Sequence, residues 1–132
     1  MSNLLWLYRR TSHNPLFFIE LELAQRRIGM KKIINGIRYD TEKAEKVAEY
    51  WNGLPNNNFG YEQEWLYITK NGNYFVHGEG GPLSSYSIRC GNSTSGGQNI
   101  IPITKNEIPR WLEDRELYEK VEELFPETIK DA

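Results

Sequence analysis

The chain has 132 residues, of which 26% are charged and 13% aromatic, and its formal net charge is −2. This length suits one domain with its own core, and so large an aromatic share is atypical of intrinsically disordered chains. No apolar run approaches the roughly 20 residues that a membrane-crossing helix needs, and the single cysteine, Cys90, favours a reducing cytoplasm over secretion.

The charge is unevenly distributed along the chain. Residues 1–30 have a balance of +2, whereas residues 31–132 carry 12 basic and 16 acidic side chains, a balance of −4. Because proteins meet DNA and RNA through basic surfaces, this balance argues against direct binding of nucleic acid.

The first 29 residues differ from the rest. Arg26-Arg27 can be encoded by AGG-AGG, a bacterial ribosome-binding sequence, at a suitable distance before Met30. We therefore predict that residues 1–29 are a translated leader or N-terminal extension and that residues 30–132 form a single domain. The alternative is a genuine amphipathic helix over about 15–27.

The first elements of that domain are predicted to be a hairpin and a helix. Asn35-Gly36 between β-branched residues is typical of a type I′ turn, so residues 31–39 predict a tight β-hairpin. A helix is predicted next, capped by residue 40 or 41 and ended at 52–53. It is indicated by the helical spacing of Ala44, Val47, Ala48 and Trp51.

The middle of the chain predicts a second hairpin over 64–77, because two runs rich in aromatic and branched residues flank a turn at 70–73. Residues 78–82 are predicted to break the sheet. Residues 83–90 predict a helix that ends before Gly91, although 85–89 could equally form a short strand. Residues 92–98 predict a loop.

The last third predicts a short strand at 99–103, followed by helices. Thr104 and Glu107 are spaced as a capping box, and Pro109 is expected to strain or shorten the helix that begins there. Residues 114–125 predict a final helix. The order predicts an α+β fold: a small antiparallel sheet built from two β-hairpins plus a short strand, with three to four helices packed on it.

Two glycine-rich loops are candidate sites. In the segment 77–81, Glu79 would be accessible as a general acid or base with His77 as its partner, and Gly80 and Gly81 would allow another surface to approach closely. The alternative is a strand exit with a solvated Glu79. The loop 93–97 could hold an anion through backbone N–H groups or be an ordinary exposed loop. No metal site and no cofactor are predicted, since no ligands lie at a short spacing.

The acidic residues of the last two helices are a third candidate. Their carboxylates could resemble a phosphate backbone and compete for a nucleic-acid site on a partner protein. The alternative is a solvated surface, partly neutralised by pairs such as Glu116–Lys120. The acidic residues are Glu113, Asp114, Glu116, Glu119, Glu122 and Glu123.

Several motifs occur together after residue 29. They are MKKIING at 30–36, YDTE at 39–42, LY at 66–67, FVHGEGG at 75–81, CGNST at 90–94 and IIPIT at 100–104. In these motifs the chain resembles small proteins of phages and integrative elements of Gram-positive bacteria. The resemblance implies a mobile-element origin, and accessory proteins of phages include inhibitors of host defence such as anti-CRISPR proteins.

The sequence therefore favours a non-enzymatic, protein-binding accessory factor of a phage or mobile element. It would act in the bacterial cytoplasm on a host protein, such as a CRISPR-Cas effector, by steric block or nucleic-acid mimicry. The alternative is a small enzyme or ligand-binding domain that uses the His77–Glu79 loop and the loop 93–97. That alternative requires the two loops to converge around one concave pocket.

Overall fold

The computed structural model describes residues 29–132, so the predictions for residues 1–28 lie outside the described part of the chain. Residues 29–132 form an α+β fold with eight strands and two α-helices. The strands are β1 (Lys31–Ile34), β2 (Ile37–Asp40), β3 (Glu45–Trp51), β4 (Glu62–Ile68), β5 (Tyr74–Gly80), β6 (Ile88–Cys90), β7 (Ser93–Ser95) and β8 (Gly97–Ile103). The helices are α1 (Ile108–Asp114) and α2 (Tyr118–Leu124). Neither helix is long and apolar enough to cross a membrane.

The strands form three antiparallel sheets. The central sheet has the order β3-β4-β5-β8, while β1 pairs with β2 and β6 pairs with β7 in two separate ribbons. The two predicted hairpins thus lie in different sheets, and two α-helices replace the predicted three to four. The expected arrangement of one small sheet is wrong in these respects, although the α+β class is right.

The first hairpin forms through its local turn chemistry. Asn35 and Gly36 have φ values of 51° and 79°, as a type I′ turn requires. The hairpin lies against one face of the central sheet, where Tyr39 meets Phe75 edge to face with ring centroids 5.6 Å apart. Ile100 completes this smaller core.

The predicted helix over residues 41–51 is wrong, because this segment forms the edge strand β3. Ala48 pairs with Leu66 of β4 and is buried in the main core, and Glu49 on the next pleat is exposed. A bulge between Lys46 and Ala48 shifts the register. The chain gains a full ladder of backbone hydrogen bonds to β4, and this long-range pairing overrides the helical spacing of the apolar residues.

The region after the second hairpin also differs from the prediction. Strand β5 continues through Gly80 instead of ending at residue 77, and residues 83–90 form a turn and the strand β6 instead of a helix. Gly91, with φ of 62°, lies in the tight turn between β6 and β7. The alternative prediction, a short strand at 85–89, is closer to the observed strand β6.

The helices cover the other face of the central sheet. Leu66 of β4, Ile108 and Leu112 of α1 are fully buried between sheet and helices. The capping interaction forms, since the Thr104 N–H donates to Glu107 Oε1 at 3.3 Å and the Thr104 hydroxyl donates to the same oxygen at 2.6 Å. Pro109 lies in the first turn of α1, where a missing N–H costs nothing. The final helix begins only at residue 118, four residues later than predicted.

Candidate functional site

The central sheet has one face that is only partly covered. α1 and α2 cover the face that carries Leu66 and Val76. On the opposite face, the β1–β2 hairpin covers Phe75 and Ile100 and leaves the rest accessible. Because directly opposite residues share a face of a sheet, the register identifies the side chains of this accessible part, which we call the open face.

The open face consists of two rows of cross-strand neighbours. The residues at its corners are exposed and those on the two inner strands are half-buried. Two of the predicted candidates, His77 and Glu79, therefore lie in adjacent rows of this face. The first row is Glu49, Trp65 and His77, and the second is Trp51, Gln63, Glu79 and Gln98.

The polar groups of the open face are held by hydrogen bonds. The Tyr61 hydroxyl lies 2.8 Å from both Gln63 Oε1 and Glu79 Oε1, and a ring nitrogen of His77 lies 3.0 Å from Gln98 Oε1. Trp65 stacks on His77 with ring centroids 5.1 Å apart. His77 and Glu79 thus each bond to a different residue, which gives them fixed positions on the surface.

The hydroxyl of Tyr61 provides a pH test of this arrangement. Burial, together with the hydrogen bond to Glu79 and its negative charge, raises the pKa of Tyr61 from 10.0 to about 12. Unfolded tyrosine loses its proton near pH 10 while the folded one keeps it, so stability is lost as pH rises from about 10 to 12. Urea unfolding should show a steeper decline over this range in the wild type than in Tyr61→Phe; identical declines would contradict the assignment.

Gly81 allows two loops to approach each other closely. A Cβ added at Gly81 would lie 2.5 Å from the carbonyl oxygen of Phe59 and 2.7 Å from that of Asn58. The Gly81 N–H donates to the Tyr61 carbonyl at 2.9 Å, and the Leu83 N–H donates to the Phe59 carbonyl at 2.8 Å. A Cβ added at Gly80 would lie 2.6 Å from the carbonyl oxygen of Tyr61. Both glycines thus serve the packing of loop 81–86 on loop 54–60.

These loops expose a group of large apolar side chains at the end of the open face. The exposed fractions are 56% for Trp51, 37% for Leu54, 65% for Phe59 and 75% for Leu83. The Trp51 indole N–H donates to the Leu54 carbonyl at 2.6 Å, and the backbones of Phe59 and Leu83 are bonded as above. We call these four residues the apolar end cluster. The sequence did not reveal it, because Leu83 lies 24 positions after Phe59 and the exposure of the four side chains depends on how their loops pack.

Residues 93–97, predicted to be a loop, instead form strand β7, a one-residue connection and the start of β8, beside the glycine segment. Gly97 pairs with Gly80, and a Cβ at Gly96 would lie 2.7 Å from the Gly80 carbonyl oxygen. Two pockets of the described residues, with volumes of about 360 and 250 Å³, are lined by other residues. The convergence around one concave pocket that the enzyme alternative requires is therefore not seen in either pocket.

A buried polar network lies on the helix-covered face, beside the smaller pocket. The Glu64 carboxylate accepts from Arg115 Nε at 2.6 Å, from Arg115 Nη2 at 3.2 Å and from the Tyr86 hydroxyl at 2.5 Å. Burial and Glu64 raise the pKa of Tyr86. Arg115 also lies over the Trp111 ring, 4.1 Å from its centroid. This network binds the end of α1 to the sheet, and the sequence did not predict it.

The predicted acidic residues all lie on the exposed surface. Glu113 and Asp114 end α1, Glu116 lies between the helices with φ of 58°, and the others belong to α2. Lys120 pairs with Glu123 at 3.2 Å, where the sequence predicted Glu116. The acidic residues therefore extend over both helices and the turn between them. Glu119 and Glu122 lie in α2.

Among residues 29–132, no group of three or more His, Cys, Asp or Glu side chains is placed to hold a metal ion. Comparison of the chain with protein-family models, with curated proteins and with solved structures gives no match.

Proposed function

We propose that this protein is a non-enzymatic, protein-binding accessory factor of a phage or mobile element that inhibits a bacterial defence nuclease, such as a CRISPR-Cas effector. The observation that supports it best is the apolar end cluster. Single exposed apolar residues are ordinary on a protein surface, whereas several at one end of the sheet, on loops joined by hydrogen bonds, mark a candidate interaction site. Trp51 and Phe59 belong to the residue types that anchor interfaces.

The rigidity of the two loops supports binding through this cluster. Asn52 Nδ2 donates to the Gly60 carbonyl at 2.8 Å and the Gly60 N–H donates to Asn58 Oδ1 at 2.8 Å, in addition to the bonds between the loops. Loops that are ordered before binding lose less conformational entropy when a partner docks. The polar groups of the neighbouring open face are bonded to one another, which suits surface contact better than acid–base chemistry.

The acidic helices supply the second part of the proposal. Exposed carboxylates on α1, α2 and the turn between them present negative charge to solvent. A nuclease binds DNA or RNA through basic side chains, so an acidic surface attracts the same groove and competes with nucleic acid. In this proposal the apolar end cluster provides affinity, and the acidic helices direct the protein to a basic partner.

A nuclease-inhibition assay tests the proposal. The purified protein is titrated into a DNA-cleavage reaction of a CRISPR-Cas effector from a Gram-positive host, and complex formation is followed by size-exclusion chromatography. We expect Phe59→Ser with Leu83→Ser to weaken binding and inhibition by at least about tenfold, since the double variant loses two apolar side chains that would be buried against the partner.

Ile33→Ser with Ile37→Ser is the matched control. These two side chains are 65% and 46% exposed on the first hairpin, so this pair of changes removes exposed apolar surface from another part of the protein. We expect it to leave binding within about twofold. Equal effects of the two double variants, or no complex with any defence nuclease tested, would refute the proposal.

A further inference from the structure

We propose that the open face binds a basic segment of the protein partner, with Arg or Lys side chains stacked on Trp51 and Trp65 and paired with Glu49 and Glu79. The inference rests on the proposed function in taking the ligand to be a protein. The inference goes beyond the proposed function by naming a second contact surface and the chemical groups that this surface recognises.

The composition of the open face selects for positive charge. Its two rows contain two tryptophans and two carboxylates, and no lysine or arginine stands in either row. Lys46 Nζ lies 3.0 Å from Glu49 Oε2 on the same edge strand, and this exposed ion pair contributes little free energy. A negative, aromatic surface of this kind attracts guanidinium and ammonium groups and repels phosphate.

The two tryptophans are near enough to act together. Trp51 lies directly opposite Gln63, and Gln63 is two positions from Trp65 on β4. Trp51 and Trp65 are therefore diagonal neighbours on one face, at a spacing that aromatic side chains can bridge. A cation attracted to an indole ring lies within about 6 Å of its centroid, so one side chain can approach either ring.

The carboxylates flank the rings and one of them is positioned in advance. Glu49 is the cross-strand neighbour of Trp65, and Glu79 is the neighbour of Gln63 in the other row. The Tyr61 hydroxyl holds Glu79 through Oε1. The second oxygen, Oε2, can accept from an incoming guanidinium.

The chain already binds one of its own arginines by the same combination. On the helix-covered face, Arg115 is held by the Glu64 carboxylate, lies 4.1 Å from the Trp111 ring centroid and lies 5.7 Å from that of Tyr50. Indole plus carboxylate therefore forms a working guanidinium site in this fold. Trp51 is also shared with the apolar end cluster, so the two surfaces are continuous.

Fluorescence titration of tryptophan with a synthetic peptide of alternating Arg and Gly residues tests the inference. In an extended peptide, alternate side chains point to one side and reach the sheet together. We expect Glu49→Gln with Glu79→Gln to weaken binding about five- to tenfold, and Trp51→Leu to do the same. Glutamine at position 79 can still accept the hydrogen bond from Tyr61, so the change removes charge and leaves the local contact.

The matched control removes the same charge from another surface. Glu127→Gln with Asp131→Asn, both exposed after α2 and outside the two proposed surfaces, should change the peptide affinity less than about twofold. Equal weakening by both double variants would show diffuse charge attraction and overturn the inference. Tighter binding of cellohexaose than of the peptide would overturn it in favour of a glycan site.

The outcome is separable from that of the proposed function. Nuclease binding that depends on Phe59 and Leu83, combined with no binding of the basic peptide, refutes only the inference about the open face. Peptide binding that depends on Glu49 and Glu79, combined with no effect of the Phe59 and Leu83 changes on any nuclease, refutes the proposed function and leaves a basic-peptide site.

Discussion

Replacement of Glu64 by Leu will destabilise the fold by about 3 kcal/mol, because it leaves Arg115 partly buried without its carboxylate. The Glu64 side chain is 5% exposed and that of Arg115 is 23% exposed, so water can solvate the orphaned guanidinium only in part. The Tyr86 hydroxyl loses its acceptor in the same variant. Urea unfolding followed by circular dichroism measures the loss.

A double-mutant cycle separates the ion pair from other effects. Arg115→Leu should cost about as much as Glu64→Leu, since it leaves the buried carboxylate unpaired, whereas the double variant should cost clearly less than the sum. Glu113→Gln, on the exposed surface of α1, is the control and should stay within about 0.5 kcal/mol of the wild type. Strictly additive losses would mean that the pair does not stabilise α1 on the sheet.

Replacement of Gly78 by Ala will destabilise the protein by about 1–3 kcal/mol through overpacking. An added Cβ would overlap the ring of Tyr86, which is 7% exposed and packs directly on this strand position. Tyr86 must then move away from Glu64, and the loop that carries Leu83 moves with it. Thermal unfolding should therefore show a lower midpoint.

A change at position 86 provides the control for this prediction. In a Tyr86→Ala background the clash is absent, so Gly78→Ala should cost less than about 0.5 kcal/mol beyond the Tyr86→Ala variant alone. If Gly78→Ala lowers the free energy of unfolding equally in both backgrounds, the close approach of the Tyr86 ring is not the reason that position 78 requires glycine.

The two proposed surfaces depend on these buried contacts. Glu64 and Tyr86 fix the start of the segment that leads to β6, and Gly81 holds Leu83 beside Phe59. The exposed side chains thus keep their positions because groups beneath them are tightly packed. A surface that is already ordered loses little conformational entropy when a partner binds, which suits a protein that binds without catalysis.

Local features of the fold were readable from the sequence. Asn35-Gly36 predicted a type I′ turn because its positive φ values suit few other residues, and Thr104 with Glu107 predicted a helix start because the two side chains interact across one turn. The second hairpin follows from two β-rich runs that are close in the chain. In each case the deciding interactions span only a few residues.

The candidate site was readable only in part. His77 and Glu79 were recognised as accessible, and both lie on the open face, but their partners Gln98 and Tyr61 are 21 and 18 positions away. Gly80 and Gly81 were noted for close approach, although the surface that approaches them is a loop of the same chain. The exposure of Phe59 and Leu83 was not foreseen.

The sequence by itself determined the α+β class, the turns and the acidic surface, because short-range backbone preferences and composition decide these. Only the tertiary structure decided that residues 45–51 form a strand, that Glu64 meets Arg115 across 51 positions, and that Leu83 is exposed beside Phe59. Strand pairing and burial favour these arrangements through contacts between distant residues. One-dimensional periodicity does not contain those contacts.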